Sequence, residues 1–125
     1  MEHLENLFDK TAMRVMEERT NAEMLYKRVL DLKDKWCIEM AEKLAFLKGR
    51  GFNVTVVLKD RKSPYNSDSQ IVVSKRGRDV SIRPYVDGPD GELMEEFRAD
   101  SLYSPFSPYK SVKIDEFVKM LATWC

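Results

Sequence analysis

More than a third of the chain, residues 2–48, passes without a proline or a glycine. Most of these residues are strong helix formers, and apolar side chains recur every three or four positions, as on one face of a helix. We therefore expect a long N-terminal helix over 2–48, ended by the two glycines that flank Arg50. Thr20 and Glu23 form a capping-box pattern, which allows a bend near Thr20 between helices over 3–19 and 21–48.

The apolar positions between Ala22 and Trp36 alternate by three and four residues, as in a heptad repeat. Such a row has two uses: it packs on the protein's own sheet, or it forms the seam of a helical homodimer. The short run favours the first use and leaves the second open. The residues of the predicted seam are Leu25, Val29, Leu32 and Trp36.

The periodicity then changes to two, which predicts antiparallel strands. A first strand starts at Phe52, a second covers Gln70–Lys75, and a third covers Asp79–Val86 after a tight turn at Arg76-Gly77. The composition of residues 92–100 favours a helix, but their alternation fits an edge strand, and we favour a fourth strand.

Residues 101–110 contain two Ser-Pro pairs and three aromatic side chains, and predict no regular element. Ser111 is placed to cap a C-terminal helix over 112–124 with one apolar face. The expected fold is a single α+β domain, residues 1–125. In it the long helix and the C-terminal helix cover an antiparallel sheet of three to four strands within 52–100.

The 21 basic and 21 acidic residues cancel, so no overall field attracts nucleic acid or a membrane. The two cysteines lie far apart, which favours free thiols in a reducing compartment. The N-terminus lacks the pattern of a signal peptide, and no apolar run reaches the ~20 residues of a membrane span. We expect a cytoplasmic or nuclear protein.

The chain has a single histidine, His3, at the start of the first helix. Nucleophilic triads need a histidine in a fixed geometry, and zinc sites need clustered Cys and His. The glycines after Lys48 precede a strand, whereas phosphate-binding loops precede a helix. We therefore predict no catalytic residue, no metal ligand and no cofactor, and we favour a non-enzymatic protein over an enzyme of unrecognised type.

Local charge remains as a functional signal. Residues 59–83 have a net charge of +4, and residues 87–100 have a net charge of −5. The basic hairpin and the aromatic loop after it predict a partner-binding surface. Each feature also has a structural explanation: charged turn tips are often only solvated, and aromatic side chains often seal a core. The predicted partner-binding residues are Arg61, Lys62, Lys75, Arg76, Arg78, Arg83, Tyr103, Phe106 and Tyr109.

These observations favour a non-enzymatic module that binds another protein, as an adaptor or an inhibitor. A small inhibitor encoded by a virus or a mobile element fits this profile. The alternative is a nucleic-acid-binding protein that uses the basic hairpin 59–83.

Overall fold

The computed structural model describes residues 2–62, 68–88 and 91–125. The fold belongs to the α+β class, as predicted, and its elements follow one another without a crossover. The helices and strands are α1 (Glu2–Lys43), β1 (Asn53–Val57), β2 (Gln70–Lys75), β3 (Arg78–Asp87), β4 (Glu92–Asp100), β5 (Lys110–Val112) and α2 (Ile114–Leu121). Short 3₁₀ turns follow both helices, at Ala45–Arg50 and Ala122–Trp124.

Helix α1 runs unbroken through Thr20, so the predicted bend is absent. The Thr20 hydroxyl donates to the Met16 carbonyl at 2.9 Å, one turn earlier, which places Thr20 inside the helix and not at a cap. The helix ends at Lys43, five residues before the predicted end, because the chain tightens into the first 3₁₀ turn. Gly51 closes that turn in the left-handed conformation, with φ of 87°.

The five strands form an antiparallel meander in the order β1-β2-β3-β4-β5. Arg76 and Gly77 join β2 to β3 with φ angles of 54° and 77°, as a type I′ turn requires. Residues 92–100 are a strand, as predicted. The sheet has one strand more than predicted, because Ser111 does not cap a helix: it pairs with Arg98 in β5.

One face of the sheet carries the core. Ile71, Val73, Val80 and Ile82 are fully buried there. This buried core also includes side chains of both helices. The domain therefore has two layers, with the helices on one side and the sheet on the other. The helix residues in this core are Trp36, Cys37, Met40, Phe117 and Leu121, and Leu44 joins them directly after the end of α1.

Phe97 on β4 connects the two helices within this core. Its ring lies edge-on to Trp36 of α1 at 5.4 Å and to Phe117 of α2 at 5.5 Å between centroids. Among the described helices, none combines the length and the apolar character needed to cross a bilayer.

Candidate interaction surfaces

Helix α1 has two parts with different surroundings. From Leu30 onward it contributes buried side chains to the head, which we define as residues 30–125, whereas no described residue in 2–28 is buried. We call residues 2–28 the arm. At 1.5 Å per residue the arm extends about 40 Å.

The arm is rich in exposed apolar side chains. Phe8 is 72% exposed and Leu4 is 63% exposed, far more than large apolar side chains usually are. The other large apolar residues exposed on the arm are Leu7, Met13, Val15, Met16, Met24, Leu25 and Tyr26. Large apolar side chains exposed in this number are typical of an interaction site.

The predicted dimer seam is divided between these two parts. Trp36 lies in the core of the head, against Phe97. Leu25 and Val29 approach the turn between β3 and β4, where a Cβ atom added to Gly91 would lie 3.0 Å from Val29 Cγ2 and 3.8 Å from Leu25 Cδ1. The C-terminal part of the predicted seam therefore packs against the head of the same chain.

A basic cluster forms at the end of the sheet opposite the arm. Lys75 Nζ donates to the Arg50 carbonyl at 3.0 Å and lies 4.7 Å from the centroid of the Phe52 ring. This contact brings the first 3₁₀ turn against the β2–β3 turn. We call the resulting group the basic tip; it consists of Lys48, Arg50, Lys75, Arg76 and Arg78.

The basic tip borders a cavity of about 340 Å³ lined by Lys75, Arg76, Arg78 and residues 123–125. None of the ion pairs found within residues 2–62, 68–88 and 91–125 includes a member of the basic tip. Three of the five members, Lys75, Arg76 and Arg78, were predicted from the sequence. Lys48 and Arg50 were missed because only the folded chain brings them to the hairpin.

The other three predicted cations are elsewhere, and two of them, Arg61 and Arg83, bind other side chains of the protein. Arg61 and Lys62 lie at the arm end of the sheet. Arg61 Nη2 donates to Asp31 at 2.6 Å and to Asp34 at 2.9 Å, and these two bonds, led by the one to Asp34, raise the pKa of Arg61. Arg83, on β3, donates to Gln70 Oε1 at 3.2 and 3.3 Å.

The aromatic loop contributes mainly to the core. Phe106 is fully buried, with Phe117 at 5.5 Å and Trp124 at 5.4 Å between ring centroids, so a partner cannot reach it in this structure. Tyr103 lies partly exposed beside Trp124. Tyr109 is half exposed and carries the Arg98 guanidinium 4.1 Å above its ring centroid.

The second face of the sheet is polar and was not predicted as a site. Arg83 and Arg98 are direct cross-strand partners on it, and Arg98 Nε is buried without a hydrogen-bond partner among the described residues. Carboxylates of Asp79, Glu96 and Asp100 alternate with these cations on the same face. The face therefore carries no positive excess that would attract an anionic polymer.

The histidine and the two cysteines lie in different parts of the structure. His3 lies on the exposed arm, Cys125 is exposed at the basic tip, and Cys37 is buried in the head. Burial, with a smaller contribution from Asp34, raises the pKa of Cys37 to about 12, so this thiol stays protonated at neutral pH. Within the described ranges, no group of three or more His, Cys, Asp and Glu side chains is arranged to hold a metal ion.

Comparisons of the chain with protein-family models, with curated proteins and with solved structures found no match. Inferences about function therefore depend on the surfaces described above.

Proposed function

We propose that this protein is a non-enzymatic protein-binding module, of the adaptor or inhibitor type, and that the arm is its docking element. The observation that carries the proposal is the row of exposed apolar side chains on residues 2–28. None of these side chains is buried by the described residues of the head, and only Leu25 lies near the turn between β3 and β4. Binding to another protein would remove them from water.

The energetic gain from such binding is substantial. Burying a Leu or Phe side chain is worth about 1.5–3 kcal/mol, and the arm offers Leu4, Leu7 and Phe8 within its first two turns. The spacing of apolar side chains at three and four residues fits a partner with an apolar groove or an apolar helical face. The exposed methionines adapt to such surfaces because their side chains are flexible.

The test is affinity capture from the native cell with two matched double variants. Leu4→Ala/Phe8→Ala removes apolar contacts, and Glu5→Ala/Asp9→Ala changes two exposed polar neighbours on the same turns. All four changes preserve or raise helix propensity. We expect the first variant to lose its captured partner by about 100-fold and the second to retain it. Equal capture by both variants would remove the arm from the proposal.

A second candidate function, nucleic-acid binding, is favoured by the basic tip. Lys75, Arg76 and Arg78 line one cavity there, and Lys75 also contacts the backbone of the 3₁₀ turn that contributes Lys48 and Arg50. Phosphate contacts make affinity fall steeply with salt, with a slope of about −0.9 per contact on duplex DNA. We expect Arg76→Glu/Arg78→Glu to abolish duplex binding measured by fluorescence anisotropy, and Lys10→Glu/Lys27→Glu on the arm to leave it unchanged. Absence of binding by the unmodified protein at low salt excludes this candidate.

A further inference from the structure

One row of side chains follows the arm at intervals of four and three residues without interruption. The row consists of Leu4, Phe8, Thr11, Val15, Glu18, Ala22 and Leu25, and it continues to Val29, the residue directly after the arm. This spacing is the heptad repeat of a two-stranded coiled coil. The members from Leu4 to Leu25 are exposed, and Val29 is half-buried beside the turn between β3 and β4, so a second helix has access to the row up to the edge of the head.

We propose that the arm binds the arm of a second copy of this chain, and that the two helices run antiparallel. The inference rests on the proposed function, because it names the protein that occupies the docking element. It also moves the dimer seam towards the N-terminus from the region predicted by the sequence. The reason for the shift is that Trp36 belongs to the core of the head.

A parallel, in-register pair is disfavoured by charge. It would place Glu18 of one copy against Glu18 of the other inside the seam. It would also place Arg14 beside Arg19 of the second copy, and Arg28 beside Lys33, at the positions that flank a parallel seam. Like charges at such close range weaken association.

An antiparallel pair centred between Met16 and Glu17 avoids these conflicts. Its layers match large apolar residues with one another, since Leu4 meets Val29 and Phe8 meets Leu25 of the second copy. The smaller Thr11 meets Ala22. Val15 meets Glu18, and Arg14 lies one turn before Glu18 on the same helix, where it can pair with the carboxylate.

The flanking positions select this register. They place Glu5 beside Tyr26, Leu7 beside Arg28, Ala12 beside Arg19, and Arg14 beside Asn21 of the second copy, and none of these pairs has like charges. Sliding the helices by one heptad in either direction places Arg14 against Arg14 or against Arg28 of the second copy. Of these three registers, only the proposed one is free of arginine–arginine pairs.

The geometry fixes both the strength and the shape of the dimer. The overlap of residues 4–29 is about 39 Å long, an interface at the lower end of the stable size range, so we expect a Kd of about 1–100 μM. The heads lie at opposite ends, with the basic tips facing outward. Residue 43 of one copy, at the end of α1, lies about 80 Å along the axis from residue 43 of the other.

The first experiment measures association of the full chain by sedimentation equilibrium from about 1 to 300 μM, a range that brackets the expected Kd. Phe8→Lys should weaken the dimer by at least about 100-fold, because the two-fold symmetry introduces the charge twice. Met13→Lys is the matched control: Met13 is 64% exposed but lies on the other side of the arm, so dimerisation should persist.

The second experiment determines orientation by distances between spin labels at Thr20→Cys or Lys27→Cys in a Cys125→Ser background. In the proposed register the axial separation is about 11 Å for position 20 and about 32 Å for position 27. In a parallel dimer the two positions give the same distance.

A dimer with distances that increase from position 20 to position 27 supports the proposal. A monomer at the highest concentration, or equal distances at the two positions, overturns it. If the protein is monomeric while Leu4→Ala/Phe8→Ala still loses a captured protein, the proposed function stands and only the identity of the partner is wrong.

Discussion

At the residue scale, Cys37 is the titratable group whose surroundings differ most from water. Its buried thiol, with a pKa raised to about 12 from 9.0, should not react with Ellman's reagent at pH 8, whereas the exposed Cys125 should react at once. We expect one fast thiol per native chain, none in Cys125→Ser, and two in denaturant for the unmodified protein. A second fast thiol in the native protein would contradict the burial of Cys37.

The same thiol links stability to alkaline pH. Its folded pKa lies above the unfolded value, so the stabilisation is fully present below about pH 9 and is lost as pH rises towards 12. The loss approaches about 1.4 kcal/mol per pH unit within that window. The free energy of unfolding of the unmodified protein minus that of Cys37→Ala should therefore decrease between pH 9 and pH 11. A constant difference would show that Cys37 ionises equally in both states.

Asp34 holds the connection between β1 and β2 against α1. It accepts a hydrogen bond from the buried Ser69 hydroxyl and another from Arg61 at 2.9 Å, while Ser69 Oγ accepts from the Lys59 amide at 2.8 Å. Asp34→Ala removes the acceptor for the Ser69 O–H donor, although Ser69 Oγ still accepts from the Lys59 amide, and should cost about 2–3 kcal/mol in urea denaturation. Asp31→Ala, which removes a more exposed partner of Arg61, should cost less than about 1 kcal/mol. Equal losses would mean that Ser69 finds another acceptor.

At the element scale, the β2–β3 turn depends on backbone conformation alone. Gly77 has a φ of 77°, and a Cβ atom there would meet nothing within 4 Å, so Gly77→Ala should cost about 1–2 kcal/mol through the left-handed conformation. Gly49→Ala is the matched control: it also has open space but no left-handed φ, and should be neutral or stabilising by up to about 1 kcal/mol. Thermal unfolding of both variants measures the difference.

Elements defined by local patterns were predictable from the sequence. Strand β2 occupies Gln70–Lys75 as predicted, because side-chain alternation and the following turn are encoded within a few residues. Strand β5 was missed because a three-residue strand exists only through its pairing with β4, as between Phe97 and Val112. The capping-box pattern at Thr20 predicted a bend that is absent. The reason is that the same residues also fit the interior of a continuous helix when nothing interrupts it.

The surfaces were less predictable than the elements, because they depend on contacts distant in sequence. Phe106 sits on an aromatic loop that suggested a binding surface, but Phe117 and Trp124 enclose it. Arg50 joins Lys75 across 25 positions of sequence. A helix with apolar spacing gives the same signal whether it covers a sheet or projects from it, so the exposure of the arm required the fold.

At the scale of the whole molecule, the arm and the head should differ in stability. An isolated helix is marginal in water, and the arm gains nothing from the core. Head amides in β2 and β3 open only with large parts of the domain, whereas amides of residues 5–22 need only local fraying. In dilute solution we expect hydrogen exchange of the arm to be at least about 100-fold faster than that of β2 and β3. Raising the protein concentration should slow exchange in the arm and leave the head unchanged, because association orders only the arm. Equal protection of arm and head in dilute solution would mean that the arm has a stabilising contact within the single chain.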